Sequence, residues 1–194
     1  INAERVVELV KSVRPLFMDH ERASRITVKG AADFVTQVDF LVQERMRSGL
    51  FDMYPQVQFM GEEKDNRDID FSGAVWILDP VDGTTNLIHD FRCSALSLAL
   101  CDRGQMELGI IYQPYEDELF LAQRGKGAFL NGNPIHVSSV KDLGQSLISI
   151  GTSPYNHDLA DRNFEDIKRV FLKCSDIRRT GSAAVDLAYV ACGR

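Results

Sequence analysis

The sequence predicts an α+β fold, with a mostly antiparallel first sheet and a smaller α/β part after it. Three observations predict it. The first fifty residues hold two segments of helical apolar spacing. Residues 94–130 hold four short apolar runs joined by tight-turn chemistry. After Gly144 the pattern changes to a short strand and two helices.

Residues 2–14 place Val6, Leu9, Val10 and Val13 on one face, which predicts an amphipathic helix ending near Pro15. A second helix is predicted to start around Thr36, with Val38, Leu41, Val42, Met46 and Leu50 inward, and to stop at Tyr54-Pro55. Residues 57–60 and 74–78 read as short buried strands, with a polar, exposed loop at 64–73 between them. Residues 94–101, 107–112, 118–122 and 128–130 read as strands of a meander. Asp102-Arg103-Gly104 and Asn131-Gly132-Asn133 supply turns between them. Asp142-Leu143-Gly144 marks a boundary, dividing the chain into an α+β domain over 1–143 and an incomplete α/β domain over 144–194. In the second, residues 147–150 read as a strand. Residues 158–174 read as a helix with Leu159, Phe164, Ile167, Val170 and Phe171 as its apolar set. A last helix starts at Ser182, a suitable N-cap.

Composition narrows the function classes. With 194 residues the chain is long enough for a real core. The net charge of −6 argues against a nucleic-acid surface, which needs a basic face. It does not argue against a phosphate substrate, because bound cations reverse the local sign. No apolar run approaches the roughly 18 residues of a membrane span, and no basic-then-apolar leader opens the chain. Cys93, Cys101, Cys174 and Cys192 form no C-x-x-C pair, and the four histidines are not spaced with them as zinc ligands. Free thiols of a reducing, cytoplasmic protein are the expectation, with neither membrane nor nucleic acid as partner. Gly125 and Gly127 lack the third glycine and following helix of a dinucleotide fingerprint.

The chemistry concentrates in Trp76 to Asn86, W-I-L-D-P-V-D-G-T-T-N. Asp79 and Asp82 stand three apart, with Pro80 between them, where an apolar strand gives way to a stiff turn. Gly83, Thr84, Thr85 and Asn86 follow with backbone N–H groups and hydroxyls. Such a set suits a hard cation and a phosphate. Gly61-Glu62-Glu63 ends another apolar run and delivers more carboxylate. Asp-Pro and Asp-Gly are also ordinary turn formers, and five residues of this kind alone are more often a surface turn than a metal site. Asp39 alone fits a first-turn carboxylate facing a helix dipole, and Ser182 alone fits a helix start. The spacing of an EF-hand is absent.

The whole eleven-residue stretch resembles the signature of the inositol monophosphatase family, W-[IVL]-[ILV]-D-P-[ILV]-D-G-T-x-N. Lys29 through Asp39 resembles that family's K-x-x-x-D-x-V-T-x-x-D, Gly61-Glu62-Glu63 its G-E-E, and Arg178 through Ala184 its R-x-x-G-[ST]-A-A. Leu87 stands where phenylalanine is common. The resemblance implies a layered α-β-α-β-α sandwich whose second α/β part is truncated. It implies Mg²⁺-dependent hydrolysis of a small phosphate monoester, first among them myo-inositol 1-phosphate, by metal-activated water. Glu62, Asp79 and the Val81 carbonyl would hold one of two or three Mg²⁺ ions. Asp79 and Asp82 would hold another, with an Asp beyond residue 194. Thr84, paired with Asp39, and Glu62 would position and deprotonate the water. The amides of Gly83 and Thr84 would hold phosphate oxygens, and Lys29 would offset their charge. Asp82 and the Gly181, Ser182 and Ala183 backbone would meet the alcohol part of a phosphorylated polyol. Lithium sensitivity and a homodimer are further implications.

Thr84-Thr85-Asn86 resembles the inositol branch, not the T-K-E of enzymes cleaving 3′-phosphoadenosine nucleotides or the S-S-N of those cleaving fructose bisphosphate. Those activities, and a non-catalytic fragment that binds a cation or a partner, are the competing readings. In the family this point of the chain is followed by a short strand and W-D-x-A-A-G. Further sequence is therefore expected beyond Arg194, with the second sheet left half built. The missing initial Met suggests a different natural N-terminus.

Overall fold

The computed structural model describes residues 1–30, 33–62 and 65–194, with the backbone alone at Lys29 and Asp33. Helix α1 (Ala3–Lys11) opens on Asn2, whose side chain accepts from the Arg5 amide at 3.3 Å. The predicted single helix to Pro15 is shorter. Ser12 turns its hydroxyl back onto the Leu9 carbonyl at 2.6 Å and closes α1. Pro15 instead sits in the first turn of α2 (Arg14–Phe17), where its missing N–H leaves no bond unmade. Helix α3 (His20–Ala23) and the hairpin β1 (Ile26–Gly30) and β2 (Asp33–Thr36) follow. Helix α4 (Gln37–Met53) packs on the sheet through Val38, Val42, Met46 and Leu50, each at most 1 % exposed. Burial of each such side chain stabilises the fold by about 2 kcal/mol.

Among the described residues the main sheet has seven strands. They are β3 (Gln58–Gly61), β4 (Ala74–Asp82), β5 (Ala95–Asp102), β6 (Gln105–Gln113), β7 (Glu118–Gln123), β8 (Gly127–Leu130) and β9 (Asn133–Pro134). They lie side by side in chain order. The pair β3–β4 is parallel and the remaining pairs are antiparallel, as the meander reading expects. Arg103-Gly104 and Asn131-Gly132 join their strands with positive φ at both positions, the backbone of a two-residue hairpin turn. Trp76, Leu96, Leu98, Ile110 and Tyr112 form the core under α1 and α4.

Asp142 caps a short 3-10 turn, Leu143–Gln145, by accepting from the Gly144 amide at 2.8 Å. Then come β10 (Leu147–Ser149), α6 (Ala160–Phe171), β11 (Asp176–Arg178) and α7 (Ala183–Ala191). Strands β10 and β11 pair in parallel as a sheet of their own. The predicted helix 158–174 is shorter, with Leu159 in a 3-10 turn before α6, and of the apolar residues on α6 Phe164 and Phe171 stay 57 % and 49 % exposed. Helix α7 lies against β5 and β6, with Ala184 and Val185 on Ala95. The four cysteines are free. Among the described residues no helix is long and apolar enough to cross a membrane.

Candidate active site

Strand pairing brings the acidic residues together. Gly61 lies opposite Leu78 in the parallel β3–β4 pair, so the next residues, Glu62 just past β3 and Asp79 still within β4, stand at one level. The Glu62 amide donates to the Leu78 carbonyl at 3.1 Å and continues the ladder by one step. Gly61 lets the Gln43 side chain of α4 pack directly over it. A Cβ at this position would lie 2.3 Å from Oε1 of buried Gln43. Glu63, the second acid of the G-E-E segment, lies outside the described residues, as does the side chain of Lys29.

Strand β4 does not stop at Asp79 as the local turn signals predict. It runs on to Asp82, with Asp79 opposite Ser97 and Asp82 opposite Ala95. Three steps on β4 therefore match two on β5, a bulge that accommodates buried Pro80 without a ladder donor. Asp79 and Asp82 stay close enough across the bulge for the charge of one to act on the other. Asp79 Oδ1 accepts from the Val81 amide at 3.1 Å, which fixes the turn.

Electrostatics at this turn are unfavourable to a full set of negative charges. Burial pushes the Asp79 carboxyl up to about 8, and the facing Glu62 and Asp82 carboxylates push in the same direction. Asp79 and Glu62 also share a hydrogen bond. Asp82 is held from the far end of the chain. Its Oδ2 accepts from Ser182 Oγ and from the Ala184 amide, each at 2.6 Å. Among the described residues no three acidic, imidazole or thiol side chains are gathered as a ready cation cage. The reason is visible in these bonds: Glu62 is turned onto Asp79, and one oxygen of Asp82 is engaged by α7. The donor set nevertheless fits a hard cation. It is all oxygen, it is partly buried, and its mutual repulsion calls for either a proton or a metal ion.

Behind the turn, Thr36 and Asp39 form a capping box at the start of α4. Asp39 Oδ2 accepts from Thr36 Oγ1 at 2.6 Å and from the Thr36 amide at 2.8 Å. Its Oδ1 lies 3.1 Å from Thr84 Oγ1, which is also 3.0 Å from the Val81 carbonyl. A hydroxyl has one proton, so Thr84 donates to one of these acceptors at a time. Burial raises the pKa of Asp39, and the hydrogen bonds from Thr36 and Thr84 oppose that rise.

Gly83 is the N-cap of the short helix α5 (Thr84–Ile88), with φ 90° in the left-handed region. It also allows a close approach. A Cβ there would meet the carbonyl oxygens of Cys93 and Gly181, each at 3.2 Å. Gly181 too has positive φ, and Ser182 caps α7 by accepting from the Val185 amide at 3.3 Å. An open cleft of about 820 Å³ runs from Asp82 along Gly181, Ser182 and exposed Ala183, with Arg179 and Asp186 on its wall. Glu62, Asp79 and Thr84 are not part of its lining. The cleft lies on the side of the Gly181–Ala183 segment.

Of the residues singled out from sequence, Asp39, Glu62, Asp79, Val81, Asp82, Gly83 and Thr84 are gathered at the end of β4, with Gly181 and Ser182 against them. Two contributors escape local reading. One is Gln43, which packs over Gly61. The other is Asn86, whose amide nitrogen donates to the carbonyls of Cys93 and Thr180. The Asn that ends the eleven-residue motif was the available signal for the second.

A family model for the inositol monophosphatase family matches residues 2–194. An inositol monophosphatase of Dictyostelium discoideum is 37 % identical, over 98 % of this chain and 72 % of its own length. A Nus factor SuhB of Escherichia coli (strain K12) is 38 % identical, over 86 % of this chain and 62 % of its own. The crystal structure of extragenic suppressor protein suhB from Bartonella henselae superimposes with a TM-score of 0.91 at 33 % identity. It covers 99 % of this chain and 75 % of that one. The chain thus spans about two thirds of the length of such relatives. Motif, fold and relatives agree: the chain belongs to the inositol monophosphatase family.

Proposed function

We propose that the protein is a Mg²⁺-dependent phosphoric monoester hydrolase acting on a small phosphorylated polyol, myo-inositol 1-phosphate first. The observation that carries the reading is Asp79 at the end of β4, hydrogen-bonded to Glu62 and within reach of the Asp82 charge, beside a Thr84 hydroxyl held by buried Asp39. The Dictyostelium relative's name supports the substrate class.

Glu62, Asp79, the Val81 carbonyl and Asp82 would hold two or three Mg²⁺ ions. Bound there, Mg²⁺ would offset phosphate charge and acidify a water. The chain's own residues do the rest. With its proton directed to Asp39 Oδ1 or to the Val81 carbonyl, Thr84 Oγ1 keeps lone pairs free to accept a hydrogen bond from a water. Glu62 stands on the neighbouring strand end as the second acceptor for that water's protons. The Gly83 and Thr84 amides meet phosphate oxygens at a turn-to-helix start, and Lys29 offsets their charge. Asp82 and the Gly181–Ala183 backbone meet the alcohol. On this reading residues 1–143 carry metal and phosphate binding, and 144–194 the alcohol-binding segment. Lithium inhibition, a homodimer and a cytoplasmic location belong to the same reading. The test is phosphate release from myo-inositol 1-phosphate with and without Mg²⁺, by this chain and by the natural full-length protein. Mg²⁺-dependent release is expected. Its absence from both proteins, with both folded, overturns the reading.

A further inference from the structure

The last residue of the motif, Asn86, has no part in the chemistry above, yet it is buried to 7 % exposure between two distant segments. Its Nδ2 donates to the Cys93 carbonyl at 2.6 Å and to the Thr180 carbonyl at 2.8 Å. Both amide protons are therefore used, one on the lead into β5 and one on the loop before α7. The same side chain abuts Gly181. A Cβ at Gly181 would lie 2.9 Å from both Nδ2 and Oδ1 of Asn86. Thr180 continues the tie into α7. It accepts from the Ser182 amide at 3.2 Å, and its Oγ1 lies 2.7 Å from Asp186 Oδ1. Two residues beyond Thr180, Ser182 Oγ reaches Asp82.

We propose that Asn86 is a positioning residue that registers the Thr180–Gly181–Ser182 segment against the Asp82–Gly83 turn, and thereby sets recognition of the alcohol half of the substrate. This rests on the phosphatase reading for its substrate, but the registration itself is a property of the fold. The side-chain bonds of Asn86 reach neither Glu62 nor Asp79, and only its backbone amide meets the phosphate turn, at the Gly83 carbonyl. Its loss should weaken discrimination among alcohols more than hydrolysis itself. No residue with a single donor can replace it, because two carbonyls must be met by one side chain.

The experiment uses the intact protein and two variants with the same branched side-chain shape, Asn86→Asp and the bulkier Asn86→Leu. The first removes the donors and adds charge; the second removes the donors alone. The readout is the ratio of kcat/KM for myo-inositol 1-phosphate to kcat/KM for p-nitrophenyl phosphate, whose aryl alcohol carries no hydroxyls. Both variants should lower that ratio on the order of tenfold or more, chiefly through KM for the polyol ester. Equal losses on both esters would mean a general structural role and overturn the proposal. Hydrogen exchange at the Ser182 and Ala184 amides is measured in the same variants, with the β5–β6 amides as reference. Faster exchange confined to Ser182 and Ala184 is expected. Unchanged exchange overturns the registration even if the wild-type protein cleaves neither ester, a result that would strike the phosphatase reading separately.

Discussion

Asp39 performs two tasks that a pair of substitutions can separate. It closes the capping box of α4 through Thr36, and it holds the Thr84 hydroxyl. In Asp39→Asn one carboxylate oxygen becomes an NH₂ group: on the Thr36 side it would face the amide donor, and on the Thr84 side it is met only when Thr84 turns its own proton to the Val81 carbonyl. Loss of a cap costs about 1 kcal/mol, and an unpaired buried donor about 1–3 kcal/mol. Relief from burying a charge, the effect that raises the pKa of Asp39, offsets part of this. A net loss of about 1–3 kcal/mol should lower Tm by roughly 2–4 °C per kcal/mol for a chain of this size. Turnover of myo-inositol 1-phosphate should fall on the order of 10²–10⁴-fold, because Thr84 loses its buried acceptor. Thr36→Ala removes the hydroxyl arm of the capping box, to Val38 and to Asp39, and leaves the Asp39–Thr84 bond in place. It should cost similar stability and far less activity. Thermal unfolding and phosphate release measured on both variants decide the matter. Equal activity losses in the two, or an Asp39→Asn protein as active as wild type, would refute the reasoning.

Asp79→Asn should abolish turnover while the protein still folds, and retained turnover would sink the ligand assignment. In chelator-treated protein the same carboxyl has a raised folded-state pKa, about 8, so its contribution is fully present below about pH 4 and is lost as pH rises toward 8. Urea titrations of the metal-free protein should show stability falling over that window by a few kcal/mol, and Asp79→Asn should flatten the slope. Gly83→Ala should lower stability by about 1–3 kcal/mol, from strain at φ 90° and from crowding of the Cys93 and Gly181 carbonyls. An unchanged Tm would mean that the turn has another backbone path.

Short-range signals were readable, and those that depend on distant partners were not. A helix start near Thr36 with Asp39 in its first turn follows from local spacing; that Asp39 is buried and closes a capping box does not. The motif likewise places Asp79 and Asp82 on stiff backbone within a few residues. The end of β4 was misread, because Asp-Pro and Asp-Gly favour turns locally while pairing with β5 carries the strand through a bulge to Asp82. The break of α1 at Ser12 was hidden for a similar reason. Pro15 reads as a stop, but its fixed φ also suits the opening of α2. No periodicity links Asp82 to Ser182 or Asn86 to Thr180, which meet across about half the chain. Such contacts come from how α7 docks on the sheet, and sequence spacing alone does not carry that.

The parallel pairing of β3 and β4 has a consequence for how this site can change over time. The two strands run side by side, so their carboxylate-bearing ends stay level whatever links them. The intervening stretch, residues 62–73, only has to cross from the end of one strand to the start of the next. Asn66 is tied to the Gly61 carbonyl and the Asp70 backbone to the Gln58 side chain, so a change of length between residues 66 and 70 falls between two anchors and does not shift Asp79 against Glu62. An inserted residue inside β4 has no such freedom, because it would turn Asp79 to the opposite face of the sheet. The crossover is thus a natural place for lineages to graft new recognition elements beside an unaltered reaction centre.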